Sequence, residues 1–141
     1  MLSQKEFDLI YSRVPRLCVD IVIKNKSGVL LAKRAIEPYK EWWHLPGGTV
    51  FIHEKIEDAA KRVIKRELNV NIKIIKKIDY LGGPTTEINH HDFSVVLLAK
   101  IISGKIRLNE ESEEFIITKK IPKKTLAGHA NLFKKYPEIL K

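Results

Sequence analysis

The stretch from Trp43 to Val70, WHLPGGTVFIHEKIEDAAKRVIKRELNV, constrains the chain more than any other. A Pro-Gly-Gly corner leads into a short strand and a loop, and the spacing that follows predicts a helix from near Glu54 to near Leu68. Ile56, Ala60, Val63 and Glu67 recur at steps of four, three and four, which stacks them on one face. Ala59 and Ile64 flank that line, so it is the stripe that packs on a core. Glu67 falls in its middle, where a carboxylate is costly unless a cation or several donors meet it. Gly47 and Gly48 have no Cβ, so their backbone can come close to a ligand or ion. The stretch therefore points to a metal or phosphate site between the corner and Glu67.

A chain of 141 residues suits a single domain, 1–141, with room for a core. A hydrophobic fraction of 44% and a charged fraction of 30% are ordinary for a globular protein, and no apolar run is long enough to span a bilayer. The opening MLSQKEFDLIYSRV lacks the uninterrupted apolar stretch of a signal peptide, so a cytoplasmic protein without membrane attachment is expected. Cys18 is the single cysteine, which excludes an internal disulfide and a Cys-based zinc site. In the context LCVDIVI it reads as a small core residue rather than a nucleophile. The net charge of +9 favours anionic partners such as nucleotides or nucleic acid. The lysines are scattered rather than gathered with aromatics, which is the pattern of a solvated surface.

In chain order, residues 4–12 read as an amphipathic helix ended by Pro15. Arg16 to Lys24 alternates strictly and is a strand, with Leu17, Val19, Ile21 and Ile23 on one face and Cys18, Asp20 and Val22 on the other. A turn at Asn25 to Gly28 returns the chain as a second strand, Val29 to Ala35. Arg34 shares a face with Leu30 and Ala32, so it either reaches solvent or meets an anion. A loop holding Pro38 and Tyr39 precedes the corner. After the helix, strands are expected at Asn71 to Tyr80, Phe93 to Ile102, Lys105 to Leu108 and Phe115 to Thr118. Pro122 to Ala127 and Asn131 to Leu140 look helical, with Pro137 interrupting the second. The loop TTEINHHD carries His90, His91 and Asp92, a cluster able to touch substrate. Adjacent histidines on a strand point opposite ways and would not easily share a metal. The acidic run NEESEE, 109–114, is either a solvated loop or a second source of carboxylate. Tight turns between strands predict a mixed sheet.

The central stretch resembles the Nudix box, G-x5-E-x7-R-E-U-x-E-E-x-G-U with U aliphatic. Gly48, Glu54, Arg62, Ile64, Glu67 and Val70 fall at matching positions, preceded by the usual Trp43, Leu45, Pro46 and Gly47. Val63 and Arg66 stand where the pattern has glutamates, and Asn69 where it has the closing glycine. Those losses, with Glu67 kept, are similar to the GDP-mannose mannosyl hydrolase branch. So are the amino-terminal helix, the strand with Asp20, the LLAKR segment, and the His129-Ala130-Asn131 triplet.

The resemblance implies an α/β Nudix fold, a mixed β-sheet sandwiched between α-helices. It also implies a magnesium-dependent hydrolase, manganese being an alternative, that acts on a nucleoside-diphosphate sugar such as GDP-mannose. In that branch water attacks the anomeric carbon and the nucleoside diphosphate leaves intact. By position, Gly47, Glu67 and Glu111 hold the metal ion, Arg34 faces the leaving diphosphate, and Asp20 contacts the sugar. Arg34, Asp20 and Glu111 are thus the implied catalytic residues, with Tyr39, His90 and His91 as further candidates for substrate contact. The branch's general base corresponds to Ser112, an unassisted hydroxyl, so Glu111, Glu113, His90 and His91 are open as substitutes. Thr49 and Ser94 replace an arginine and a tyrosine. A homodimer is implied as well. Two other readings stay open: attack at phosphorus in a different nucleoside diphosphate derivative, and a non-catalytic nucleotide or RNA binder. Without a metal, Glu67 needs a structural partner such as Arg34, while Glu54 and Arg62 read as a brace of the box loop.

Overall fold

The computed structural model describes residues 1–84 and 89–141, so the first four residues of the TTEINHHD loop lie outside the described residues. The element order is α1 (Gln4–Tyr11), β1 (Arg16–Asn25), β2 (Gly28–Arg34), β3 (Trp43–His44), β4 (Gly47–Thr49), α2 (Ile56–Leu68), β5 (Val70–Gly82), β6 (Asp92–Gly104), β7 (Ser112–Thr118) and α3 (Ala127–Lys135), closed by a 3-10 turn at Pro137–Leu140. The sheet is mixed, as its tight turns predict: β1 runs parallel to β6, while the other strand pairings are antiparallel.

Strand β1 organises the rest. Along one edge it pairs with β6 from Arg16 to Ile23. Along the other it changes partner: Cys18 to Asp20 pair with β4, and Lys24 and Asn25 pair with β2. The sheet forks where the partner changes, and Asp20 stands at the last β4 position before the fork. The strict alternation of β1 then serves two cores. Val19, Ile21 and Ile23 pack with Ala60, Val63, Ile64 and Leu68 of α2. Val22 packs with Leu31, Leu45, Leu132 and Phe133 beneath α3. Side chains such as Ile64 and Leu68 each contribute about 1.5–3 kcal/mol by leaving water.

Helix α2 starts at Ile56 rather than Glu54, because the Glu54 carboxylate is held by the loop before it. It accepts from the Phe51 N–H at 3.0 Å and from Arg62 at 2.7 and 3.0 Å. Arg62 also donates to the Thr49 carbonyl at 2.7 Å and lies 3.8 Å from the Phe51 ring centroid. The pair is thus a brace of the box loop. At the far end Asn69 adopts φ 60°, a left-handed cap that glycine takes most readily and asparagine tolerates. The departure from the box glycine therefore keeps the same backbone.

Two expected elements differ. Residues 105–108 form no strand; Ile106 and Leu108 pack against the α2 core, and the Arg107 N–H bonds the Leu68 carbonyl at 2.9 Å. Residues 122–126 are not helical, because Trp43 recruits them as backbone partners: its N–H bonds the Lys124 carbonyl at 2.7 Å and its carbonyl accepts from Leu126 at 2.9 Å. The helix begins only at Ala127 and ends at Lys135, before Pro137. None of the helices in the described residues is long and apolar enough to cross a membrane.

Candidate functional site

A cleft of about 1500 Å³ opens at the fork, running from α1 past β1 and the box corner to the acidic loop. Asp20, Arg34, Tyr39, Gly47, Glu67 and Glu111 all line it. His90, His91 and Glu113 do not. His90 Nδ1 lies 2.7 Å from Asp92, which also takes both prongs of Arg16 at 2.9 and 2.7 Å. The His90 ring packs edge-on against Phe7 of α1, so this cluster fastens the amino-terminal helix. His91 offers its backbone carbonyl to Arg16. Glu113 and Glu114 pair with Lys33 at 3.4 and 3.1 Å.

Glu67 is 8% exposed, in the middle of the buried α2 stripe. Burial pushes its carboxyl up to about 7; the Arg66 guanidinium opposes that, while the charges of Glu111 and Asp20 add to it. Its partner is Arg66, 3.5 Å away, and not Arg34. Arg34 is held elsewhere: its Nε donates to the Pro38 carbonyl at 2.6 Å within the loop that leads to Tyr39 and Trp42. Tyr39 takes φ 62° in that loop and meets Trp42 edge to face at 6.2 Å.

Gly47 lies against β1 so closely that a Cβ would overlap Asp20 Oδ1 and the Val19 carbonyl. Only glycine brings the corner backbone to this point. Among the described residues no three His, Cys, Asp or Glu side chains gather as a metal cluster. The donors suit one hard cation instead. Glu67 is a buried carboxylate with a single long contact, Gly47 is a close backbone corner, and Glu111 is near enough to sense the Glu67 charge.

Two histidines that the sequence did not single out as chemical groups frame Leu45, which is 1% exposed. The Leu45 N–H donates to His129 Nδ1 at 3.0 Å, and His44 Nδ1 meets the Leu45 carbonyl at 2.7 Å. His129 Nε2 then lies 3.5 Å from Asp20 Oδ2. Asp20 is therefore not a solvent-facing strand residue. Burial pushes the His44 ring down to about 4, with the nearby Arg34 charge acting the same way. His44 stands opposite Ala32, on the face that carries Arg34, a register that only the folded β2–β3 pair reveals. His129 reaches the site from 84 residues beyond Leu45, which no local pattern reveals. Burial also pushes the Cys18 thiol up to about 12, which suits a core residue.

Comparison with known proteins bears on this arrangement. The chain is 42% identical over 77 residues to the low-salt glycan biosynthesis protein Agl8 of Haloferax volcanii, a match to 55% of this chain and 49% of that protein. Against that relative the chain spans about half the length. It is 29% identical over 124 residues to the ADP-ribose pyrophosphatase of Methanocaldococcus jannaschii, covering 86% of this chain and 73% of that one. The crystal structure of a MutT NUDIX hydrolase from Burkholderia pseudomallei superposes with a TM-score of 0.79 at 24% identity, over 86% of this chain and 97% of that one, which shows the shared fold. The NUDIX domain family model matches residues 14–136. With the box helix, its Glu54–Arg62 brace and the mixed sheet in place, the chain belongs to the NUDIX domain family.

Proposed function

We propose that this NUDIX-family hydrolase acts on a nucleoside-diphosphate sugar, of which GDP-mannose is the model, with water attacking the anomeric carbon and the nucleoside diphosphate leaving. The observation that carries the reading is the pairing of Glu67 with Arg66. Where the box would supply further carboxylates for several ions, α2 presents Val63 to the core and a guanidinium to Glu67. One divalent cation, magnesium or manganese, is then the natural complement, held by Glu67, the Gly47 carbonyl and Glu111. When bound it supplies positive charge to a departing diphosphate.

The chain's own groups account for the rest. Arg34, fixed at Nε by Pro38, faces the same cleft and stabilises negative charge growing on the leaving group. Asp20, set by Gly47 and His129, accepts from a sugar hydroxyl. Glu111, on the exposed rim, is the candidate base for water. Pairing of two copies through the amino-terminal region accords with the exposure of Leu9, Ile10 and Val14 there. The test is hydrolysis of GDP-mannose with magnesium in heavy-oxygen water. Label in the released mannose supports attack at carbon; label in phosphate sinks it.

A second reading has one observation in its favour: the relative covering 86% of the chain is an ADP-ribose pyrophosphatase. Attack at phosphorus in ADP-ribose would release AMP and place the label in a monophosphate product.

A further inference from the structure

The His44 ring is oriented by one hydrogen bond of fixed direction. A carbonyl can only accept, so the 2.7 Å contact with Leu45 puts the ring proton on Nδ1. In the neutral ring Nε2 is then an acceptor. The titratable and charged groups around it come from three elements, Arg34 of β2, His129 of α3 and Asp20 of β1; the Arg34 charge disfavours a second proton, Asp20 favours one, and burial outweighs it. Among the described residues nothing bonds Nε2, and no side-chain nitrogen or oxygen is both fully buried and unpartnered. The atom therefore keeps some exposure, on a residue that lines the cleft. His129 cannot fill that role, because its Nδ1 is already accepting from Leu45 and its Nε2 faces Asp20.

We propose that His44 reads a hydroxyl of the sugar, its Nε2 accepting one hydrogen bond from the non-nucleotide half of the substrate. The inference rests on the nucleoside-diphosphate-sugar reading above and adds a specificity residue to it. An ionised diphosphate oxygen offers only lone pairs, so Nε2 and the Asp20 carboxylate both turn it away. A hydroxyl satisfies either. The same pair thus orients the ligand, with its diphosphate towards Arg34 and its hydroxyls towards the fork.

The test is calorimetric binding of two ligand pairs, GDP-mannose with GDP and ADP-ribose with ADP, to the whole protein without added metal, so that turnover does not consume the ligand. Wild-type protein is expected to favour the sugar-bearing member of at least one pair by about tenfold, the worth of a good hydrogen bond to a fixed acceptor. In His44→Asn the amide nitrogen replaces Nδ1 on the Leu45 carbonyl while nothing replaces Nε2. That variant should lose most of the preference and keep its affinity for the bare diphosphate within about twofold. His44→Gln sets an amide oxygen near the Nε2 position and should recover part of it. An unchanged preference in His44→Asn, equal losses for both members of a pair, or no preference in the wild type would overturn the proposal. So would a loss that His44→Gln fails to recover, since that marks a packing role. If the hydrolase reading alone is wrong, ligands bind with these ratios but no label enters any product.

Discussion

Glu67 and His44 line the same cleft, and burial drives both towards their neutral forms: the carboxyl up to about 7, the imidazole down to about 4. Their situations are otherwise opposite. His44 is neutral because burial outweighs its bond to the Leu45 carbonyl, and with its proton on Nδ1 it keeps Nε2 as an uncharged acceptor. Glu67 has one guanidinium contact at 3.5 Å and two carboxylates in its field, so neutrality is a fallback that a cation relieves. Burial alone therefore does not mark an ion site; a buried carboxylate with one long cationic contact and two further carboxylates in its field does.

The largest break in this comparison is Glu67→Gln. It should abolish the thermal stabilisation that magnesium or manganese gives and lower turnover at least about a hundredfold, as measured by melting with and without metal and by product release. Full activity in that variant would remove Glu67 from the metal site. Next come the pH slopes of the metal-free protein. Between about pH 4.5 and 7 the folded state holds a proton on Glu67 that the unfolded chain has released, so this group's contribution to stability falls as pH rises. Between about pH 6.5 and 4 the unfolded chain protonates His44 and the folded state does not, so stability falls as pH drops. Each amounts to about 3 kcal/mol, and the two oppose each other where the windows overlap. Urea unfolding across pH should expose the acid-side slope alone in Glu67→Gln and the opposite slope alone in His44→Asn. Parallel curves would mean that neither group is held neutral by the fold.

A smaller effect tests the Leu45 frame. His129→Ala strands a buried N–H and should cost about 1–3 kcal/mol in unfolding free energy, whereas His129→Asn can offer an amide oxygen in its place. Equal losses would show that packing, not the hydrogen bond, matters. The smallest concerns Arg66. Removing its guanidinium with Arg66→Gln frees Glu67 for an incoming ion, so manganese should bind about threefold tighter by calorimetry. Weaker binding would instead make Arg66 a group that positions Glu67.

The box helix, the β1–β2 hairpin and the mixed sheet were legible in the sequence because each rests on local periodicity or turn chemistry. Glu67 was legible for the same reason: it interrupts an apolar stripe. Its partner was not. Arg66 is adjacent in sequence and belongs on a neighbouring face, and its guanidinium meets the carboxylate from a position beside Gly48. Residues 122–126 were misread as helix because the hydrogen bonds that claim them come from Trp43, about eighty positions away. His90 looked chemical from its neighbours His91 and Asp92, and the fold adds contacts that those neighbours do not reveal, Phe7 of α1 on its ring and Arg16 on Asp92. Long-range backbone capture, more than propensity, separates the expected chain from the folded one.

The corner also gives the protein an optical property. Its two tryptophans are Trp42 and Trp43, immediately before His44. Trp42 lines the cleft against Tyr39, while Trp43 lies under the Lys33 ammonium at 5.7 Å and takes its backbone partners from Lys124 and Leu126. All intrinsic indole emission therefore originates at one corner of the fold, with Trp42 on the cleft lining and Trp43 packed against the core beside it. Quenching or a spectral shift on adding a ligand would report an event at that corner without a dye, a label or any turnover.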